Sequence, residues 1–375
     1  MDWLRWRAEF PILERTTYLN SCSLGALSRR AERRLHDFLL EWHQRGAAAW
    51  YDTWLARLDE LRLRFARTIG ADPADIALTA SVSAALTSIA SAIDHRDRPR
   101  VVCSSLDFPT LGYQWQARPD VHVVHVNTDD HATIDLQRWD DAVDQRTAVL
   151  ATSHVFFTTG AIQDLRALAE IAHRAGALLV IDGYQSAGQI PVDVRALDVD
   201  VFIAGPLKWL LGGPGLAYAY VRPELVAELR PRVAGWFGSA DPFSFEIERF
   251  DFRGDARRYE LGTPSLHTVH TALGGQEIID EIGVGRIRER NRALTERLVA
   301  RAEAAGLRLR IAPDSASRSA IVMVAVDDPH GAVAHLAGAG ITVDARPGHV
   351  RVSPHFYNVE DELDSVVEEL SRWRR

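Results

Sequence analysis

Lys208 lies in the run VFIAGPLKWLLGGPG (201–215) and is the only lysine of the 375 residues: the 43 Lys and Arg residues comprise this lysine and 42 arginines. Arginine stays protonated and is no nucleophile, whereas a buried lysine can lose its proton and attack a carbonyl to form a Schiff base. An apolar run leads into Lys208 and a glycine-rich turn follows it, which places it at a strand end opening into a pocket. Asp182 closes another apolar run, LLVID. An acid there can cap a turn or a helix. Beside a Schiff-base lysine at the neighbouring strand end, it also suits a pyridinium nitrogen, which needs an anion to stay protonated and act as an electron sink.

Three further features are compatible with such a ring. Gln185, three residues after Asp182, can donate to a phenolic oxygen or face solvent as an ordinary helix residue. The stretch ASVSAA from Ala80 opens a helix with hydroxyls; a serine N-cap accounts for it, and so does an anion held by free amides. Phe108, in LDFPTLGYQW after the strand VVCSS, can stack on a flat ring or belong to the core.

The elements that must position these residues follow from short apolar runs alternating with segments of helical period. The runs are Val101–Cys103, Val121–Val126, Thr147–Val155, Ala177–Ile181, Val199–Ala204 and Leu216–Val221. They predict an α/β fold with a mainly parallel central sheet covered by helices on both faces, whose ligands bind at the carboxyl ends of the strands. Ahead of them, helices are predicted over Arg29–Arg45 and Tyr51–Ile69, with a brief strand at Ile76–Thr79. After an irregular aromatic passage near 232–262, one long helical stretch over Leu266–Ala305 leads into a smaller α+β unit. The expected division is an N-terminal segment over 1–20, a large domain over 21–258 and a small C-terminal domain over 259–375.

Hydrophobic content of 47% and charged content of 25% are those of a soluble globular chain, and the net charge of -8 argues against a nucleic-acid footprint. No apolar run reaches the ~18 residues that span a bilayer, and the first residues lack a signal-peptide core. Cys22 and Cys103 are too few for a disulfide framework or a cysteine-based zinc site, so a cytoplasmic location without a metal is expected. No G-x-G-x-x-G follows the first strand, and Gly212–Gly215 comes after the lysine, which excludes a dinucleotide-binding oxidoreductase.

The segments TYLNSCSLG, SVSAAL, DFPT, SHVFFTTGAIQDL, VIDGYQSAGQIPVDV, GPLKWLLGGPG, RRYELGTP and VRVSPHFYNVEDEL resemble, over nearly the whole chain, the class V aminotransferase group of fold-type I pyridoxal-phosphate enzymes. That group includes cysteine desulfurases, kynureninases and isopenicillin N epimerase-like proteins. The resemblance implies pyridoxal 5'-phosphate as cofactor. It implies Lys208 as the Schiff-base lysine, Asp182 at the pyridine nitrogen, Gln185 at the phenolic oxygen, Phe108 on the ring, and Val82 and Ser83 at the phosphate. Thr263 would reach the phosphate of a neighbouring subunit in a homodimer with shared sites. Arg351 would grip the α-carboxylate of a small amino-acid substrate, with Asn20 also at the substrate, and Trp209, Trp236, Phe237 and the loop 20–23 as pocket walls. The sequence departs from the group in four places. ARPGHVRVS carries no desulfurase cysteine, Phe156 and Phe157 fill a stretch that often holds Ser or Asn, Leu207 precedes the lysine where His or Tyr is common, and Gly205 stands where a phosphate-binding serine is common. An aminotransferase or a β-eliminating C–S lyase is the expected activity, with an epimerase, a kynureninase-like hydrolase or a non-catalytic homologue as alternatives.

Overall fold

The computed structural model describes residues 1–373, so the last two residues of the expected 259–375 unit lie outside the described residues. Seven strands form the central sheet: β1 (Ile76–Thr79), β2 (Arg100–Ser104), β3 (His122–Val126), β4 (Thr147–Ser153), β5 (Leu178–Asp182), β6 (Val201–Ala204) and β7 (Ala217–Val221). Their order is β1-β7-β6-β5-β4-β2-β3, and β2 to β6 run parallel. Strand β7 runs antiparallel to both β6 and β1. Parallel neighbours need a crossover, usually a helix. Residues 205–216 hold none, and a turn with φ +94° at Gly215 sends the chain straight back beside β6. Lys208 is therefore carried by a hairpin-like connector.

Both faces of the sheet are apolar, as burial on two sides requires. Leu150, Leu179, Ile181, Phe202 and Tyr218 pack into one core with the helices Leu55–Thr68, Leu165–Arg174 and Leu266–Ile282. There Phe65 stacks on Tyr218 at 4.0 Å and 12°. Val101, Val149, Val180, Ile203 and Ala219 face the opposite core, with the helix Val82–Ala92 and Leu111 and Trp115 of the helix Pro109–Gln116. The long helical stretch predicted over 266–305 is two helices, Leu266–Ile282 and Val284–Ala304. Gly283 separates them with φ +85°, a left-handed conformation that ends the first helix.

A second, antiparallel sheet follows: β8 (Leu309–Arg310), β9 (Val322–Ala325), β10 (Asp344–Arg346) and β11 (His349–Val352), in the order β10-β11-β9-β8. Its apolar side packs on the helices Val284–Ala304, Pro329–Gly338 and Glu360–Trp373. Pro347 and Gly348, the latter at φ +71°, form a two-residue turn that sets Arg346 opposite His349 and Asp344 opposite Arg351. The beginning of the chain is pinned to this unit, because Thr17–Tyr18 pairs with Ile341–Thr342 and Asn20 bridges to Ser353. From there it passes the lysine connector, where Gly25 N donates to Leu207 O at 2.8 Å. A Cβ on Gly25 would stand 2.1 Å from the carbonyl oxygen of Lys208, so only glycine fits this crossing.

Candidate active site

At the carboxyl ends of β4 and β5, beside the connector after β6, a cavity of about 270 Å3 is lined by Lys208, Asp182, Gln185, Phe108, Val82 and Ser83, six of the residues singled out from sequence. Ser81, Thr110, Ser153, Val155, Phe157, Tyr184 and Leu207 complete its wall.

Lys208 Nζ lies 4.5 Å from the ring centre of Tyr184 and 6.0 Å from that of Phe108. Burial pushes its amine down to about 8, against the opposing pull of Asp182 and Cys22; Arg351 and Arg346 add to the fall. The amine thus loses its proton much nearer neutrality than an ordinary lysine. Burial pushes Asp182 the other way, to about 6, while the Tyr184 amide (2.9 Å to Oδ1) and Lys208 hold it down. At neutral pH it remains mostly ionised.

The other end of the cavity is the start of the helix Val82–Ala92. Ser81 caps it by accepting from Ala84 N at 3.1 Å, and Ala85 N makes the first bond back to the Ser81 carbonyl. The amides of Val82 and Ser83 precede that bond, and Ser83 Oγ meets Thr110 Oγ1 at 3.1 Å. Free amides at the positive end of the helix dipole, with hydroxyls beside them, suit a phosphate. The donor set therefore fits pyridoxal phosphate: anion donors at one end, a buried carboxylate at the other, an aromatic ring and a depressed amine between.

Asp107 holds this edge together and went unread in the sequence. Its Oδ2 accepts from Ser104 N (2.8 Å) and its Oδ1 from Ser153 N (2.7 Å) and Thr152 Oγ1 (3.0 Å), tying the Phe108 loop to β4. Its signals were its place three residues after β2 and at the head of the DFPT segment. Tyr184 was also missed, and it accounts for Gly205: a Cβ on Gly205 would stand 2.2 Å from Tyr184 Cε2, so the ring fills the place of the serine common there.

Other expected residues stand elsewhere. Gln185 lines the cavity, yet its Oε1 accepts from Trp209 Nε1 (2.8 Å) and its Nε2 donates to the Cys22 carbonyl (3.0 Å), so Trp209 braces Gln185 from the core and is no wall. Phe156 is core, whereas Phe157 lines the cavity edge-on to Phe108 at 5.1 Å and 78°. Trp236 and Phe237 belong to an aromatic cluster with Phe243 outside the cavity. Asn20 is held by its bridge to Ser353 and is not in the lining. Thr263 is exposed on its own chain and away from the cavity.

Arg351, expected at the substrate carboxylate, is engaged within the chain. Its guanidinium is buried outside the lining, with its fork on Asp344: Nε to Oδ1 at 2.9 Å and Nη2 to Oδ2 at 2.6 Å. The Pro347–Gly348 turn was the signal for this pair, since a two-residue hairpin there puts positions 344 and 351 opposite each other.

The chain is similar to known proteins over most of its length. The sequence model of the family described as "Aminotransferase class-V" matches residues 35–366. The chain is 33% identical over 369 residues to the uncharacterized aminotransferase YcbU of Bacillus subtilis (strain 168), covering 98% of this chain and 97% of that protein. It is 30% identical over 304 residues to a kynureninase of Bacillus cereus (strain ATCC 10987 / NRS 248), covering 77% and 71%. Among solved structures, the fold is shared with an apo cysteine desulfurase of Thermococcus onnurineus NA1 at a TM-score of 0.88 and 21% identity, over 98% of this chain and 97% of that one. The chain belongs to the class V aminotransferase family of fold-type I pyridoxal-phosphate-dependent enzymes.

Proposed function

We propose that this protein uses pyridoxal phosphate, held through Lys208, to remove the α-proton of a small amino acid, as an aminotransferase or a β-eliminating C–S lyase. The observation that carries the reading is the placement of a depressed lysine amine between a buried carboxylate and the free amides of a helix start. When bound, the cofactor supplies an electron-poor ring that withdraws electron density from the carbon bearing the substrate amine.

The residues around it divide the remaining work. Val82 and Ser83 hold the phosphate through backbone amides and a hydroxyl, and Asp182 supplies the negative charge that keeps a proton on the ring nitrogen. Phe108 covers one face, steadied by Phe157 and by the Asp107 clamp. Lys208 is the base: with an amine near 8 it accepts the α-proton and returns it at neutral pH. Leu207 offers no acid or base beside it, so proton traffic rests on Lys208. Thr263, exposed at 263, reaches the site of a second copy, and the exposed Phe245, Ile247 and Phe250 supply apolar surface for the same contact.

Protein loaded with pyridoxal phosphate should show a visible absorption band that borohydride bleaches, fixing the cofactor on Lys208, and Lys208→Ala should show neither. Protein that stays colourless after loading refutes the reading. Incubation with amino acids then separates the two reactions, since elimination releases a keto acid and ammonia while the band persists.

A further inference from the structure

Arg351 is 1% exposed, and its guanidinium makes four hydrogen bonds within the chain. Besides the two bonds to Asp344, Nη2 donates to Ser23 Oγ at 2.6 Å and Nη1 to the Phe157 carbonyl at 2.9 Å. No pair of neighbouring N–H groups is left for a second carboxylate, so a bidentate grip on a ligand requires Asp344 to leave. Asp344 has a second cation at hand. Arg346 Nη2 lies 3.0 Å from Asp344 Oδ2, and the Arg346 side chain is 27% exposed against 2% for Arg351.

Two arginines face one carboxylate here, which leaves one positive charge in excess. The neighbouring Cys22 adds no negative charge, because burial pushes its thiol up. One further carboxylate would balance the cluster. The two partners also differ in freedom to move: Asp344 is on β10, the edge strand, while Arg351 is on β11, held between β10 and β9. Phe157 ties the cluster to the cavity, since its carbonyl accepts from Arg351 and its ring lines the Lys208 site.

We propose that Asp344 is a specificity-determining residue that competes with the substrate carboxylate for Arg351, and that an α-amino acid binds by passing Asp344 to Arg346. The proposal rests on the reading of the site as one for an amino acid. It makes a small amino acid exchange one carboxylate for another, so the affinity gained from its carboxylate is low. An amine without a carboxylate leaves the Asp344–Arg351 pair undisturbed.

The test is a titration of the cofactor-loaded protein with alanine and with ethylamine, following the visible band as a binding signal. Asp344→Asn should tighten alanine by about tenfold, the gain expected when a charged competitor is removed, and leave ethylamine within about twofold. Arg346→Met, which keeps the buried pair, should weaken alanine by a similar factor. Equal alanine affinity in all three proteins, or an Asp344→Asn gain shared by ethylamine, overturns the proposal. A loaded protein without a band fails before any amine is added, and that failure belongs to the cofactor reading. The exchange is then still read on cofactor-free protein: propionate should raise the melting temperature of Asp344→Asn more than that of the unaltered chain, and equal shifts overturn it.

Discussion

Restoring the serine common in this family at position 205 should damage this protein, and the damage should depend on Tyr184. A Cβ at 205 would lie 2.2 Å from Tyr184 Cε2, 3.0 Å from Tyr184 Cζ and 3.0 Å from the Leu216 carbonyl oxygen. The ring must move by more than 1 Å to reach ordinary contact, and the extra hydroxymethyl group enlarges the crowding. Overpacking of this kind costs about 1–3 kcal/mol. Tyr184→Ala alone should cost about 2–3 kcal/mol, below the usual range for a core aromatic because one side of the ring borders the cavity. In the double variant the small residue leaves room for the serine, and the costs should fall short of their sum by about 1–3 kcal/mol. The residue of strain against Leu216 O, which is backbone, should persist. Urea denaturation of the four cofactor-free proteins measures the coupling, with unchanged slopes as the check on two-state behaviour. Additivity within about 0.5 kcal/mol would refute the idea that the ring fills the place of the missing side chain.

Three further outcomes are expected. The Asp182 carboxyl, raised from an ordinary 3.8 to about 6, stays protonated in the folded chain where the unfolded chain has ionised. Its contribution of about 3 kcal/mol is therefore present below pH ~4 and lost as pH rises through ~6, and the difference in stability between the cofactor-free protein and Asp182→Asn should change by that amount across the window. Gly25→Ala would push a methyl group into the Lys208 carbonyl at 2.1 Å; it should cost about 2–3 kcal/mol in denaturation and abolish borohydride trapping although Lys208 is intact. Light scattering should give twice the chain mass, and Ile247→Asp combined with Phe245→Asp, at positions 97% and 67% exposed, should give the single-chain mass with an unchanged circular-dichroism spectrum.

The parts of this molecule legible from its sequence are those carried by local pattern. Apolar runs marked the strands, and a lone lysine and an acid at two strand ends marked a site, because strand ends are where a twisted α/β sheet leaves room. What stayed hidden depends on side-chain pairs between distant segments or on backbone reversals. Gly205 reads as an isolated departure until the Tyr184 ring is seen to occupy the missing Cβ's place. The antiparallel course of β7 rests on the connector 205–216 lacking a helix, while its apolar composition equals that of the parallel strands. The resemblance set Arg351 at a substrate α-carboxylate and was silent on Asp344, the partner that a register argument from Pro347 and Gly348 supplies.

The solitude of Lys208 has one more consequence. A lysine-specific endoprotease has a single peptide bond to cut in this chain, the one joining Lys208 to Trp209, and the Trp209 side chain is 0% exposed. Cleavage therefore needs the connector to leave its place against Gly25 and Gln185, and its rate clocks the opening of the pocket rather than fraying at the surface. Every productive encounter yields the same two fragments, so a simple gel becomes a measure of how often this enzyme exposes its own centre, and of how strongly any ligand keeps it shut.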